Sequence, residues 1–429
     1  MLGIVFFLFI FLFVLGLPIG GVLAFLAILP NIIDPYFPAD PMYIVDAMVG
    51  AVSSFTLVAV PMFILSGNIM AKGRISSRIF NVFSYFIADK PAGLPVATVI
   101  TCLFYGAVSG SGPATVAAVG SMSLPVMKKL GYDDDFSVAL VAVAGSLGVI
   151  IPPSIPFIFY AQVSSISVAD MFTAGILPGL LIGFCLIIYC IFYCGKNVQN
   201  HKVLREYKDE LRQTGFWNIF KDGFWCLLSP IVVLGSIYSG IASPTEVAVI
   251  SVFYALVLSL FVYKTIKLRD FGEILVNSVK NYVSVLFIIA CATAFARTLT
   301  LLKASELINF YFETFTQNKT IFLILVNALL LIVGMIIDTA PAIIILTPIF
   351  LPIALEYGIS PVHLGIIMVV NLAIGFVTPP IGVNLFVASA MGRIDMHSIV
   401  KRAVPMIYVF FAALIAITFI PDISLILLK

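Results

Sequence analysis

Gly145-Ser146-Leu147-Gly148-Val149-Ile150-Ile151-Pro152-Pro153-Ser154 interrupts an apolar run spanning residues 136–166. Each proline removes a backbone donor and clashes with the carbonyl four residues back, so two in succession unwind a helical turn. About 20 apolar residues suffice to cross a bilayer, so the run reads as a transmembrane helix broken near its middle. Gly375-Phe376-Val377-Thr378-Pro379-Pro380 breaks the run 363–391 in the same way. The two breaks lie 227 positions apart (379 minus 152). The same shift carries Leu124-Pro125 onto Leu351-Pro352, Gly131 onto Gly358, Gly148 onto Gly375 and Pro178 onto Pro405. The chain therefore repeats itself.

Composition fixes the solvent. Of 429 residues, 62 % are hydrophobic and 10 % charged, against about 45–50 % and 25 % in soluble domains. So few charges cannot cover a globular surface, which excludes a water-soluble enzyme and leaves the lipid bilayer as the medium. Lys plus Arg number 23 against 21 Asp plus Glu, net +2, which gives no reason to expect a nucleic-acid partner.

Further spans are expected at 2–29, 43–71, 173–195, 223–242, 246–263, 282–301 and 403–427. The first is too long for a signal-peptide core and lacks a small-residue cleavage site, so it is expected to remain as a helix. Two blocks, 92–127 and 319–355, are too long for one crossing and too short for two. Each carries helix-breaking residues midway: Ser109-Gly110-Ser111-Gly112-Pro113 and Asp338-Thr339-Ala340-Pro341. Each block therefore reads as a re-entrant helical hairpin. Basic residues flank both ends of the first (Lys72, Arg74, Arg78 and Lys90, then Lys128 and Lys129), which puts both ends in the cytoplasm. The second has only Lys319 at one end and no Lys or Arg over 354–362, which puts both ends outside. The polar stretch Gly195 to Gly223, with six basic and four acidic residues, reads as a cytoplasmic connector. Chained together, these signals place the N-terminus inside and the C-terminus outside. An odd number of crossings separates the copies. The expected fold class is thus an all-α polytopic membrane protein of two inverted repeats, each with a hairpin and a proline-broken span, an arrangement characteristic of secondary transporters. Amphipathic stretches at 74–90, 270–280 and 304–318 read as interfacial helices or as short polar linkers.

Free carbonyls at membrane depth need protein, water or an ion to satisfy them. Carbonyl, hydroxyl and carboxylate oxygens at the tips and breaks suit a hard cation such as Na+, and the opposed half-helix N-termini suit a carboxylate. Asp338 is the only carboxylate at a tip, and its counterpart 227 positions back is Ser111. A charge at mid-membrane costs about 2.5–3.5 kcal/mol on insertion scales. Asp338 reads both as the cap of the following helix and as an ion ligand. Arg297, near the outer end of its span, reads as snorkelling to the interface or as steering an anion. Asn68, Asn371 and Asn384 read as interhelical hydrogen-bonding groups.

Other motifs carry no chemistry. Ser243-Pro244-Thr245-Glu246 fits a capping box, and Asp133-Asp134-Asp135 a helix start. The six cysteines form no C-x-x-C pair and His201, His363 and His397 are scattered, so no metal site beyond Na+ and no cofactor is expected. A nucleotide-binding loop is absent. A lone Asp338 with no histidine at depth gives no catalytic set, so the chain is expected not to be an enzyme.

GSGPATVAAVGSMSLPVMKKLGYD (110–133), GVIIPPSIPFIFYA (148–161), SPTEVA (243–248), IDTAPAIIILTPIFLPIA (337–354) and GFVTPPIGVNLFVASAMG (375–392) resemble the large membrane subunit of tripartite ATP-independent periplasmic (TRAP) transporters. The resemblance covers nearly the whole chain. It departs only at Ser243, where the family more often has Thr. It implies a protein of the bacterial inner membrane that imports an organic acid, a C4-dicarboxylate or a sugar acid such as sialic acid. A periplasmic binding protein would deliver the acid, a small membrane subunit would accompany this one, and Na+ would drive uptake. It also implies an elevator mechanism, with a transport domain at 92–171 and 319–395 and a scaffold at 1–91, 172–318 and 396–429. By the same resemblance Na+ ligands would come from Ser109, Gly110, Ser111 and Gly112 with Gly148, Ile151 and Pro152, and from Asp338 and Thr339 with Gly375 and Thr378. Substrate would meet Ser111, Pro113, Ser154, Pro341, Pro380 and Asn384. A stand-alone sodium–anion symporter of the wider superfamily is the alternative, and copurification with a small membrane partner separates the two.

Overall fold

The computed structural model describes residues 1–197, 201–308 and 318–429, and these contain helices and no strand. The region 2–29, expected as one span, is two helices, α1 (Leu2–Val14) and α2 (Ile19–Ile33). Gly16 turns the chain with φ +76, which a residue without Cβ adopts freely, and Pro18 precedes α2 with no N–H to continue α1. The span expected at 43–71 is likewise divided into α3 (Pro41–Val52) and α4 (Ala59–Lys72), with a 3-10 turn over Phe55–Val58 between them. Serine hydroxyls stabilise this division: Ser53 Oγ donates to Val49 O at 2.8 Å and Ser54 Oγ to Gln162 Oε1 at 2.9 Å.

The amphipathic stretch at 74–90 forms α5 (Ile75–Ile87), which buries Ile75, Ile79 and Phe80. The first long block folds as α6 (Gly93–Ser109) and α7 (Gly112–Lys129). The first double-proline break separates α8 (Asp134–Gly145) and a 3-10 turn over Ser146–Val149 from α9 (Ile155–Ser164). There follow α10 (Val168–Asn197), α11 (His201–Gln213), α12 (Phe216–Tyr238) and α13 (Pro244–Val257). Next comes α14 (Phe271–Leu301), an unbroken helix of 31 residues. The stretch 270–280, expected as a separate interfacial element, is therefore mostly the first part of α14, because no Gly, Pro or cap interrupts the helix where the polarity changes. The stretch expected at 304–318 lies outside the described residues from 309 to 317. The second block folds as α15 (Lys319–Gly334) and α16 (Thr339–Glu356), and the second break separates α17 (Pro361–Gly375) from α18 (Val383–Gly392). The last region is α19 (Met396–Phe419) and, beyond Pro421, the short α20 (Asp422–Leu425). Among the described residues, 7 helical segments are long and apolar enough to cross a membrane by length and composition.

The internal repeat extends to packing. Shifting α7 by 227 positions gives 339–356, the bounds of α16, and α6, α8 and α9 fall on α15, α17 and α18 within a few residues. The neighbours exchange in step. α7 packs on α8 and on α18, while α16 packs on α17 and on α9. α4 packs on α13, while α2, which shifts onto α13, packs on α14. The halves therefore interlock: the second limb of each hairpin lies against the far half of the other copy's broken helix.

Small residues set how closely these helices approach, as expected where lipid offers no hydrophobic drive for association. A methyl built on Gly106 of α6 would lie 2.8 Å from the Gly148 Cα, and one on Gly375 would meet the Gly334 backbone of α15. Each hairpin's first limb thus crosses its own broken helix at a pair of glycines just before the break. The helix-start motifs behave as read. Asp133 accepts the Asp135 N–H at 3.1 Å and pairs with Arg402 at 2.8 Å, and Ser243 and Glu246 form a reciprocal capping box. All six cysteines are free, and buried His363 is hydrogen-bonded, with ring nitrogens 3.2 Å from Ser424 Oγ and from Thr418 O.

Candidate ion and substrate site

The first tip turns at Gly110, whose φ of +61 places it in left-handed backbone. Ser111, extended, stands at the N-cap of α7 without a side-chain cap bond. Its carbonyl accepts from the Thr115 N–H at 3.1 Å and from Thr115 Oγ1 at 2.8 Å, and Ser109 Oγ lies 2.9 Å from Thr115 Oγ1. The Gly110 carbonyl accepts the Ile155 N–H at 3.3 Å, which ties this tip to its own break. The second tip is tied in the corresponding way, with Met335 O accepting from Ile381 N–H at 3.4 Å. There Asp338 caps α16: its Oδ1 accepts the Thr339 N–H at 2.7 Å. The Asp338 side chain is solvent-accessible, and its Oδ2 takes no hydrogen bond among the described residues.

The breaks satisfy much of their own backbone. Ser154 Oγ donates to Val149 O at 2.5 Å and accepts from Phe157 N–H at 3.4 Å. Thr378 Oγ1 donates to Ile374 O at 2.7 Å. Both Pro152–Pro153 and Pro379–Pro380 bonds are cis.

Both tips and both breaks reach one cavity of about 580 Å³. Of the residues named from the sequence, Ser109, Gly110, Ser111, Pro113, Asp338 and Thr339 line it. Val149 and Phe376 bring the two breaks to its wall. Gly148 lies buried behind it, where a methyl would strike Thr115 and the Ser111 carbonyl, and Gly112 is buried against Asn384 and Phe376. Gly375, Ile151, Pro152, Ser154 and Pro341 are buried outside the lining, as is Asn384. Thr378 is half-buried beside its break, and Pro380 faces a separate apolar pocket with Ile381 and Phe13. Asn384 bridges the two halves: its Nδ2 donates to Ser146 Oγ at 3.0 Å and to Ala142 O at 3.3 Å. Its buried Oδ1 has no partner among the described residues.

The rest of the wall comes from α4 and α14, through Gly67, Asn68, Lys280, Asn281 and Ser284. Asn68 also makes the interhelical bond its position suggested, to Ser278 Oγ at 2.8 Å, and Asn371 does so to Asn327. Sequence reasoning missed Lys280, Asn281 and Ser284. The available signal was a lysine inside a helical run that continues to Leu301, and reading 270–280 as a separate arm concealed it.

This architecture is that of an all-helical, multi-pass membrane protein. Over 88 % of both chains it matches the fold of the crystal structure of the Alcanivorax borkumensis YdaH transporter, with a TM-score of 0.62 at 13 % identity. A family model described as "Tripartite ATP-independent periplasmic transporter, DctM component" matches residues 6–423, and the chain belongs to that family. It is 39 % identical to the isethionate TRAP transporter permease protein DctMQ of Oleidesulfovibrio alaskensis over 96 % of this chain, spanning 64 % of that protein's length. It is 39 % identical to the C4-dicarboxylate TRAP transporter large permease protein of Pseudomonas aeruginosa over 86 % of each chain. It is also 32 % identical to the sialic acid TRAP transporter large permease protein of Vibrio cholerae, over 96 % of this chain and 95 % of that one.

Proposed function

We propose that this large permease subunit imports an organic anion together with Na+ by an elevator motion. Hairpins and broken helices over 92–171 and 319–395 would move as the transport domain against the rest of the chain as scaffold. The observation that carries this reading is the cavity lined at once by Ser109 to Ser111, by Asp338 and Thr339, and by both breaks. It supplies carboxylate, hydroxyl and carbonyl oxygens of the kind that hold a hard cation. The relatives' names point to an acid of the C4-dicarboxylate, sialic acid or isethionate type. Delivery falls to a periplasmic binding protein, and a small membrane subunit completes the assembly in the bacterial inner membrane.

The test is reconstitution into liposomes. The chain alone is expected not to concentrate an acid. With its small subunit, loaded binding protein and an inward Na+ gradient, uptake is expected. Sodium-independent uptake by the isolated chain overturns the reading.

The orientation of the halves is tested separately. Cysteines replacing Lys90 and Leu130 are expected to label from the cytoplasmic side, and those replacing Gln317 and Gly358 from outside. The basis is the distribution of Lys and Arg around the two hairpins. Labelling from opposite sides within either pair replaces that hairpin by a full crossing.

A further inference from the structure

A second cavity, of about 320 Å³, abuts the first. Its walls include Gln162 and Val163 of α9, Ile344 of α16, and Thr293, Arg297 and Thr300 of α14. Phe159, almost fully buried, belongs to the lining of both cavities and stands between them. The two are joined by α14 as well. Asn281 and Val285 line the first cavity, Ile289, Thr293 and Arg297 the second. These five residues recur every fourth position and so form one i±4 ridge that runs obliquely along the helix. A cation sits near each end. Lys280, beside Asn281, lines the cavity of the tips, and Arg297 lines the other, about 25 Å further along at 1.5 Å per residue.

Three observations separate Arg297 from a side chain that reaches for the membrane interface. It lines a cavity, and it is exposed while its chain neighbours Ala296 and Thr298 are buried. Neither it nor Lys280 makes an ion pair among the described residues. Among the described residues, the lining of the Arg297 cavity contains no acidic residue and that of the Lys280 cavity only Asp338. Charged side chains within a membrane protein are costly and rarely idle, and a cation in a low-dielectric cleft concentrates anions there.

We propose that Lys280 and Arg297 are two fixed cation stations for a carboxylate- or sulfonate-bearing substrate, one in each cavity, with Phe159 as the partition between them. Their role as substrate stations rests on the transporter reading above. An anion passing from one cavity to the other leaves one counter-charge and meets the next, so it is compensated at both ends of this ridge. Asp338, at the tip that lines the same cavity, serves the cation instead.

The test needs no transported substrate. Single cysteines replace Ser284 in the Lys280 cavity and Thr293 in the Arg297 cavity, with the parent chain as the labelling background. Each is reacted with anionic sulfonatoethyl methanethiosulfonate and with cationic trimethylammonioethyl methanethiosulfonate. Removing a unit charge a few ångströms away should change the anionic-to-cationic rate ratio by about tenfold. Lys280→Gln is expected to lower the ratio at position 284 by that factor and to leave 293 within about twofold. Arg297→Gln should do the reverse, and Arg297→Lys should preserve the ratio at 293. A ratio unmoved by loss of its own cation overturns that station. So does a cysteine at 293 that reacts with neither reagent, or a ratio lost equally in Arg297→Lys. If the ratios behave as expected while the three-component assembly takes up no acid, the stations stand as anion sites and the transporter reading fails. In an active assembly, uptake of labelled succinate, sialic acid or isethionate, whichever is carried, should show KM raised about tenfold in Arg297→Gln with the sodium dependence unchanged. A KM equal to that of the parent chain overturns the substrate role of Arg297.

Discussion

Asp338→Asn is expected to raise the sodium concentration for half-maximal uptake by about tenfold or more, with the protein still folded. Asp338 Oδ1 already caps α16 through the Thr339 N–H at 2.7 Å, and asparagine caps a helix about as well as aspartate. Folding should therefore tolerate the change. What is lost is the charge and the anionic character of Oδ2, which no group among the described residues engages. A charge-assisted interaction contributes about 1.5–3 kcal/mol, and each 1.4 kcal/mol is tenfold in affinity. Ser111→Ala, at the matching position of the first tip, removes a neutral hydroxyl that makes no cap bond, so its effect should be milder. Uptake measured against sodium concentration decides the matter, and an unshifted curve for Asp338→Asn would falsify the ligand role and leave the cap alone.

Gly375→Ala should be among the most damaging small substitutions in the chain. A methyl there meets the carbonyl, carbon and Cα of Gly334, all backbone atoms that cannot rotate aside. Helix propensity works the other way, since alanine is better than glycine by up to about 1 kcal/mol in a helix. Overpacking of a tight interface costs about 1–3 kcal/mol, occasionally more, so the clash wins. The unfolding midpoint in detergent should fall by several degrees and uptake should be lost. Gly106→Ala, at the corresponding pair with Gly148, should behave similarly. Gly235→Ala has nothing within 4 Å of the added methyl and is expected to hold or raise the midpoint. Equal midpoints for Gly375→Ala and Gly235→Ala would show that the crossing is not close-packed.

The parts legible in the sequence were those where a residue type has one physical meaning. Paired prolines must break a helix, and tips crowded with glycine, serine and aspartate must turn one, so both breaks and the turns midway through both long blocks fall where they were expected. The missed boundaries depend on weaker signals. Gly16 and Pro18 divide the first apolar run, but neither is enough alone to end a helix in lipid. Ser53 and Ser54 end α3 through hydroxyl bonds, one of them to Gln162, 108 positions away. No local pattern announces a partner so distant. Lys280 was hidden for the opposite reason. A polar-to-apolar change along α14 looked like the end of one element and the start of another, whereas helices continue through such changes unless a breaker intervenes. Gly106 and Gly334 were unread because closeness between helices is a property of pairs, and only Gly148 and Gly375 carried a second signal.

The interlocking of the halves also governs how the protein can be made. Asn384 reaches back 238 positions to Ser146, and α18 covers α7 and α8. At roughly 5–20 residues per second of synthesis, the first half must wait about 12–50 s for the segment that closes it. During that interval its hairpin sits in the bilayer with one flank unclothed, open to capture by quality-control proteases or by the wrong neighbour. A chain stopped short of residue 383 would leave this flank permanently bare, so the two halves, though similar in plan, are obligate partners in biogenesis.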